Sequence, residues 1–321
     1  MSHRQAVAVM VLATLLWSMA GVVTRQIEMA QGLTLTFWRS AFNAAALLLI
    51  LIGLRSLTGV WRGLRDGGWP LWASGVCWAV MFTAFMWALT LTTIANVLVT
   101  MAVGPLMTAL LARVLLRRML SYATLAAVLV AGLGLALMQL PGLLATSEQA
   151  SGPALAVQQV GATGPAQGWG VILALAVPLA GALNWVLIRA VVERSKVAAD
   201  HRQPDFLLAV WIGACLSALW SWPAASPLEA TTADLAWLAL LGVFQLAVPC
   251  LLAVKVATVL QPSEVALLSL LEVLFGVAWA WWGTAEQPQP LVVLGGAIVL
   301  VTLVVHERAQ VRWAGSKEGA T

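Results

Sequence analysis

The sequence predicts an all-α integral membrane protein with ten transmembrane helices, arranged as two inverted five-helix repeats. Of its 321 residues, 61% are hydrophobic and only 9% are charged, whereas a soluble domain has about 25% charged residues. The apolar residues form runs of about 20, which is the length needed to cross a bilayer as a helix. The pattern of these runs then occurs twice along the chain.

The first apolar run extends from Ala6 to Thr24 and is long enough to remain as a helix instead of being removed as a signal peptide. Two later stretches are too long for one crossing, and we divide them at Thr92–Asn96 and at Gln261–Pro262. The remaining spans are predicted at 33–53, 71–91, 94–115, 121–140, 168–190, 206–223, 235–256, 263–283 and 289–306.

Lys and Arg between the spans concentrate on one side of the membrane. With the N-terminus in the cytoplasm, most of them fall on the cytoplasmic side, as the positive-inside rule requires. An even number of helices places the C-terminus there too. The sequence therefore predicts a multi-pass protein of the cell inner (plasma) membrane with cytoplasmic N- and C-termini. The same distribution accounts for the net charge of +4 without a nucleic-acid partner.

A linker divides the chain into two halves. The segment from Pro141 to Gln167 is rich in Gly, Ala, Ser, Gln and Pro and carries one charge, which is typical of a flexible loop. The predicted units are the first repeat at 1–141, an outer linker at 142–167, the inverted second repeat at 168–307, and a cytoplasmic tail at 308–321.

Displacing the chain by 168 residues aligns all five spans without a gap. Trp17 then coincides with Trp185, and Trp69 with Trp237. Because each repeat has an odd number of spans, the second copy inserts in the opposite direction. Inverted repeats are typical of secondary transporters, in which the binding site lies near the midplane between the copies.

Three stretches resemble a known family, and they cover Leu15–Gln26, Phe37–Ala45 and Leu270–Leu300. They are similar to the drug/metabolite transporter superfamily, in particular its EamA-type members. In the family's closing pattern Glu272 and Glu286 occupy the two acidic positions, while Val273 replaces the usual proline, which Pro105 keeps in the first repeat. The resemblance implies export of small metabolites. The branch that exports aromatic and other amino acids gives the expected substrate.

Glu272 is the first candidate site residue, because a carboxylate at the middle of a span costs about 2.5–3.5 kcal/mol. It is expected to act as a counter-ion for a substrate ammonium or as a proton site. The alternative is a protonated or hydrogen-bonded carboxyl packed between helices. Helical spacing places Ser269, Gly276 and Trp279 on the same face.

Arg39 is the second candidate and lies roughly 9 Å from the outer end of its helix at 1.5 Å per residue. It is expected to bind a substrate carboxylate or to pair with Glu272, with snorkelling to the outer headgroups as the alternative. Together the two residues would supply both charges that a zwitterionic amino acid needs.

The other candidates are polar, aromatic or proline residues inside the spans. Polar residues there line a cavity or hold helices together, and the tryptophans form an apolar wall or pack against lipid and neighbouring helices. Prolines interrupt helices and are candidate hinges. The cavity candidates are Asn43, Asn96, Thr100, Ser269, Trp17, Trp78, Trp185 and Trp279, and the hinge candidates are Pro105, Pro178 and Pro249.

These features predict a secondary transporter that works by alternating access. Its partners are a small-molecule substrate and the lipid bilayer. Helices 1–4 and 6–9 are expected to form one central cavity, with the fifth and tenth helices bracing the sides. The sequence has no Walker motif, so ATP is not expected to drive transport directly. No cofactor, metal or enzymatic activity is predicted.

Two other classes stay open at this stage. An integral-membrane enzyme or a lipid- or drug-handling membrane protein would place paired carboxylates, His or Cys at the membrane edge, and Asp66, Asp200 and Asp205 are scattered among Arg-rich loops instead. A channel or helper protein would need rings of polar groups through a complete pore.

Overall fold

We used a computed structural model of the full chain. It describes residues 1–24, 26–30, 32–91, 97, 100–101, 103–116, 122–144, 165–198, 204–225, 228–283 and 290–318. The side chains of 21, 89–90, 139–144, 165–168, 196–198, 277, 280–283, 307 and 310–318 are not described.

The described residues form ten helical spans, α1 to α10. Four of these spans are single uninterrupted helices: α3 (Gly68–Leu91), α5 (Tyr122–Leu144), α6 (Pro165–Ala198) and α7 (Phe206–Ala225). The span α4 is described as a helix over Gly104–Leu116, and α10 runs over Pro290–Glu318. Six described helices are long and apolar enough to cross a membrane, and shorter apolar helices lie at 104–116, 122–138 and 290–306.

The other spans are interrupted or kinked. Span α1 consists of His3–Trp17 and Ala20–Thr24, and α9 of Pro262–Ser269 and Leu271–Gly283. Span α8 begins at Thr232–Leu240, widens into a π-helix at Leu241–Ala247, and continues as Val248–Ala257. Span α2 (Gly32–Asp66) is kinked at Ser56, which has a φ of 62°.

Helix packing follows the repeat. Helix α3 packs against α6 and α7, α8 packs against α1 and α2, α2 packs against α7, and α5 packs against α10. Each helix has a counterpart five positions along the chain, so α1 corresponds to α6, α2 to α7 and so on. When every helix is replaced by its counterpart, the α3–α6 contact becomes α8–α1 and the α3–α7 contact becomes α8–α2. The α2–α7 and α5–α10 contacts map onto themselves. The bundle therefore has an approximate two-fold relation between its halves. We name the end that carries both termini the terminal end and the opposite end the distal end.

Glycines set the closest helix–helix contacts. A Cβ on Gly134 of α5 would lie 2.8 Å from the carbonyl oxygen of Gly295 on α10, and one on Gly242 would lie 2.8 Å from the carbonyl oxygen of Arg39. In lipid no hydrophobic force draws helices together, and association depends on van der Waals packing instead. Small residues such as glycine allow the close approach that this packing needs. Helices α5 and α10 thus form a closely packed pair.

Several boundaries differ from the predicted ones. Helix α10 reaches Glu318, so the helix continues past the apolar run into the predicted tail at 308–321. Helix α6 extends eight residues beyond the predicted end at 190, to Ala198. Most of the predicted linker at 142–167 lies outside the described residues.

The α5–α10 contact leads to a stability prediction. Gly134→Val should lower the melting temperature of the detergent-solubilised protein by several degrees, because its side chain meets backbone and Val299 and overpacking costs about 1–3 kcal/mol. Gly132→Val, two residues away, is the matched control, since a Cβ there meets nothing within 4 Å. Equal melting of both variants would show that the α5–α10 contact is not tight.

Candidate functional site

A cavity of about 180 Å³ lies at the centre of the bundle, between the two repeats. Its wall is formed by α1–α4 of the first repeat and by α6, α8 and α9 of the second. The lining residues are Trp17, Arg39, Trp78, Met81, Phe82, Phe85, Met101, Gly104, Pro105, Thr108, Val177, Pro178, Gly181, Ala182, Trp185, Gln245, Leu246, Cys250, Ala266, Ser269, Leu270, Glu272 and Val273.

The same 168-residue displacement that aligns the spans also relates residues across this cavity. Both members of six pairs line the wall: Trp17 and Trp185, Trp78 and Leu246, Phe82 and Cys250, Met101 and Ser269, Gly104 and Glu272, and Pro105 and Val273. The cavity therefore lies on the approximate two-fold axis. The walls that the two repeats contribute occupy equivalent positions but carry different side chains.

The two charged residues of the wall come from different repeats. Arg39 belongs to α2, where its counterpart in the second repeat is Leu207, and Glu272 belongs to α9, where its counterpart is Gly104. Within the described part of the chain, no ion pair within 4.0 Å joins the guanidinium to the carboxylate. Their charges nevertheless interact electrostatically across the cavity. The guanidinium and the carboxyl therefore both reach the wall of one cavity without forming an ion pair.

Arg39 is held in place by the neighbouring helix α3. Its side chain is only 4% exposed, and Nη2 donates a hydrogen bond of 3.3 Å to the carbonyl oxygen of Phe82. Its buried Nε has no hydrogen-bond partner among the described residues. A buried donor without a partner costs about 1–3 kcal/mol, so this position favours an additional acceptor in the cavity.

Glu272 lies beside the interruption of α9. The first segment ends at Ser269, whose Oγ bonds back to the carbonyl of Val265 at 2.8 Å, and the second begins at Leu271. Glu272 therefore occupies the first turn of a helix near mid-membrane. The positive end of the helix dipole stabilises a carboxylate there by about 0.3–1 kcal/mol or more. The break gives a charged side chain in the span a favourable position.

Gln245 connects the interruption of α1 to the π-helical part of α8. Its Nε2 donates a hydrogen bond of 3.2 Å to the carbonyl oxygen of Trp17, the last residue before the break. Its Oε1 is buried and has no partner within the described residues. Pro249, four residues later, lacks an N–H, and a proline at this spacing clashes with the Gln245 carbonyl. The widened turn that results carries Gln245 to the cavity.

The break of α1 is also fixed from α9. Trp279 donates from its indole Nε1 to Ser18 Oγ at 3.0 Å, and Ser18 Oγ itself donates to the Leu15 carbonyl. A Cβ on Gly276 would lie 4.0 Å from the carbonyl oxygen of Ser18. The second segment of α9 and the break of α1 therefore contact each other directly beside the cavity.

Aromatic side chains form most of the remaining wall. The indole rings of Trp78 and Trp185 meet edge to face, with centroids 5.6 Å apart, and Trp78 packs against Phe82 at 5.5 Å. The buried Trp78 Nε1 has no hydrogen-bond partner in the described chain. One side of the cavity is therefore a rigid apolar surface that also carries an unsatisfied donor.

The structure brings together most of the predicted site residues. Those that line the cavity are Glu272, Arg39, Ser269, Trp17, Trp78, Trp185, Pro105 and Pro178. Pro249 does not line it and instead follows the π-helical segment. Asn96 lies outside the described residues.

Three predicted cavity residues lie elsewhere. Trp279 contacts Ser18 and lies beyond the α9 residues that line the cavity, the last of which is Val273. Asn43 is fully buried in the α2–α8 contact, where Gly242 approaches its backbone. Thr100 is buried and does not line the cavity.

Of the helices expected to form most of the cavity, α7 contributes no lining residue among those described, and it packs against α2 and α3. Phe82, Phe85, Cys250 and Gln245 line the cavity and were not among the predicted site residues. The 168-residue displacement carried a usable signal for two of them, since it pairs Phe82 with Cys250.

Comparisons with known proteins agree with this architecture. The profile of the EamA-like transporter family matches residues 4–140 and 168–306. A solved structure titled "Crystal structure of protein" has a TM-score of 0.73 with this chain at 16% identity, and the match covers 95% of this chain and 98% of that one. No curated protein matches the chain.

The Gln245 contact leads to a prediction for the site. Gln245→Met should lower the melting temperature, because the carbonyl of Trp17 loses its donor inside the protein, and an unsatisfied buried acceptor costs about 1–3 kcal/mol. Phe244→Met is the control, since Phe244 is exposed on the outside of the bundle and such changes usually stay within about 0.5 kcal/mol. If Gln245→Met melted like the control, Gln245 would not hold the break of α1.

Proposed function

Because the chain belongs to the EamA-like transporter family, we propose that it is a secondary transporter that exports small zwitterionic metabolites, chiefly aromatic and other amino acids, by alternating access. The observation that carries the proposal is the pair of oppositely charged residue types, Arg39 and Glu272, on the wall of one cavity between the two repeats. Each charge comes from a different repeat.

The charges suit a ligand that bears both signs. The Arg39 guanidinium would bind an α-carboxylate, for which its planar set of donors is well matched, and the Glu272 carboxylate would bind an α-ammonium. The Gln245 Oε1 and the Trp78 Nε1, both without partners among the described residues, add one acceptor and one donor. A singly charged ligand would leave one of the two charges without a counter-ion.

The rest of the wall suits an apolar side chain. Trp17, Trp78, Trp185 and Phe82 surround the cavity with aromatic rings, which also favour a cation by π-contact. A volume of about 180 Å³ suits a small metabolite.

Charge distribution supports the proposed location, and the repeat supports the proposed transport cycle. We place both termini in the cytoplasm of the cell inner (plasma) membrane, because Lys and Arg concentrate at that end. The two-fold relation of the repeats would allow each half to adopt the conformation of the other, which would open the cavity to alternate sides. Two of the three hinge candidates, Pro105 and Pro178, lie at its wall.

The test is counterflow in liposomes that contain the purified protein. Radiolabelled phenylalanine or tryptophan should accumulate saturably when the unlabelled compound is inside. Phenylethylamine and phenylpropionate, which each lack one of the charges, should compete at least tenfold more weakly. Transport of amphipathic cations alone, with no amino acid moved, would exclude the zwitterion proposal.

The two charges should have separable effects. Arg39→Gln should raise the KM for phenylalanine at least tenfold, because truncating one partner of a buried charge pair costs about 2–5 kcal/mol, and it should barely affect competition by phenylethylamine. Glu272→Gln should have the opposite selectivity: it should weaken competition by phenylethylamine more than competition by phenylpropionate.

The matched control is Glu229→Gln, which removes an exposed carboxylate and should transport like the parent. If both site variants impaired all three compounds equally, the charges would act on folding or conformational change and not on the two ends of the substrate.

A further inference from the structure

The distal end of the bundle is closed by one buried carboxylate. Asp234, at the start of α8, is 1% exposed. It accepts hydrogen bonds from the backbone N–H groups of Glu28 at 2.9 Å, Met29 at 3.1 Å and Ala30 at 3.3 Å. A fourth bond comes from the N–H of Thr231 in its own helix cap. Asp234 therefore ties the second repeat to the segment that joins α1 and α2.

An apolar cluster lies under this carboxylate and continues to the cavity. Its buried members are Val23, Ile27, Ala30, Leu35, Met86, Leu238 and Leu241. Phe85, which packs against the cluster, also lines the cavity. The cluster and the Asp234 bonds together seal the distal side of the site.

The 168-residue displacement assigns a counterpart to Asp234, and that counterpart is Asp66. Both aspartates are followed at the third position by a tryptophan, Trp69 and Trp237. The counterparts of Glu28, Met29 and Ala30 are residues 196–198 at the end of α6. The sequence thus repeats the aspartate and the tryptophan at the terminal end, while Ser195 stands at the position of Ile27 and Gly63 at that of Thr231.

The two ends differ in this structure. Asp66 is exposed, and no hydrogen bond or ion pair from it is seen in the described residues. Trp69 is 67% exposed, against 36% for Trp237. The counterparts of four buried cluster members stay partly exposed: Val191, Ser195, Pro70 and Ala73. The distal seal is formed and the terminal one is not.

We propose that Asp66 is a gating residue of the transport cycle: when the distal end opens, the Asp66 carboxylate accepts the backbone N–H groups of residues 196–198 and closes the terminal end. The inverted repeat supplies the reason, since a repeat that takes its partner's conformation must also take its partner's contacts. The proposal rests on alternating access and is independent of the substrate class.

The proposal requires changes at the ends of α2 and α6. Asp66 is the last residue of α2, and Gly63, the counterpart of the cap residue Thr231, lies inside that helix, so its last turn must open for Asp66 to begin α3 as Asp234 begins α8. Residues 196–198 lie in the last turn of a helix that ends at Ala198, whereas α1 ends at Thr24, before the segment that Asp234 binds. The counterpart of Thr24 is Val192. The last turns of α6 must therefore unwind, which exchanges helical hydrogen bonds for charge-assisted bonds to the carboxylate.

The experiment uses one cysteine, at the cavity position Ser269, in a full chain whose three native cysteines are replaced by serine. A membrane-impermeant thiol reagent is added to either side of liposomes of known protein orientation. Asp66→Asn should raise the ratio of labelling from the terminal end to labelling from the distal end about tenfold. Asp66→Asn replaces charge-assisted hydrogen bonds with weaker bonds to an amide. Because Asp66 makes these bonds only when the distal end is open, the substitution destabilises that state alone. Asp234→Asn should lower that ratio by a similar factor.

The double variant distinguishes gating from a structural role. Asp66→Asn with Asp234→Asn should restore the parental labelling ratio, which two independent folding defects would not do. If Asp66→Asn is not monodisperse, Asp66→Glu should shift the ratio in the same direction. A ratio for Asp66→Asn equal to that of Glu229→Gln, or no compensation in the double variant, would overturn the proposal.

Labelling needs no substrate, so a wrong substrate class leaves the gating result intact. Labelling from one end alone in every variant would contradict alternating access, and it would therefore also contradict the proposed gating role of Asp66.

Discussion

The organisation of this protein depends on one requirement of the bilayer: every backbone polar group at membrane depth needs a partner inside the protein. Three spans are interrupted near the same level, α1 after Trp17, α8 at its π-helical turn and α9 at Leu270. At the break of α1, Gln245 donates to the backbone carbonyl of Trp17, and Trp279 donates to the Ser18 hydroxyl. Side chains from α8 and α9 therefore supply partners where α1 is interrupted, beside the cavity.

The interruptions and the contacts around them also determine where charged side chains are accommodated inside the bundle. Glu272 lies in the first turn of a helix that begins inside the bundle, and Arg39 is fixed by a carbonyl of α3. Neither residue needs the other as a partner, so both remain available. The aromatic wall, the enclosed volume and the two-fold relation of the repeats then combine into a site that suits a ligand carrying both signs of charge.

Most of the fold was predictable from sequence, because the length of the hydrophobic runs and their repetition are set by the order of apolar residues along the chain. The family match and the ten described spans confirm that part. The rotation of side chains around the cavity was less predictable. A face drawn for the ninth helix includes Trp279, but the cavity lining on that helix ends at Val273 and Trp279 contacts Ser18 instead. Likewise Gln245 reaches the wall through a π-helical turn, which periodicity cannot anticipate. Residue pairing between the repeats was the stronger guide.

The unequal positions on the two-fold axis have an evolutionary consequence. Two copies of the first half would present two guanidinium groups and, at the position of Glu272, two glycines, while two copies of the second half would present two carboxylates and, at the position of Arg39, two leucines. Neither homodimer would offer opposite charges to one ligand. Fusion of the halves into a single polypeptide therefore permits divergence that an assembly of identical subunits forbids.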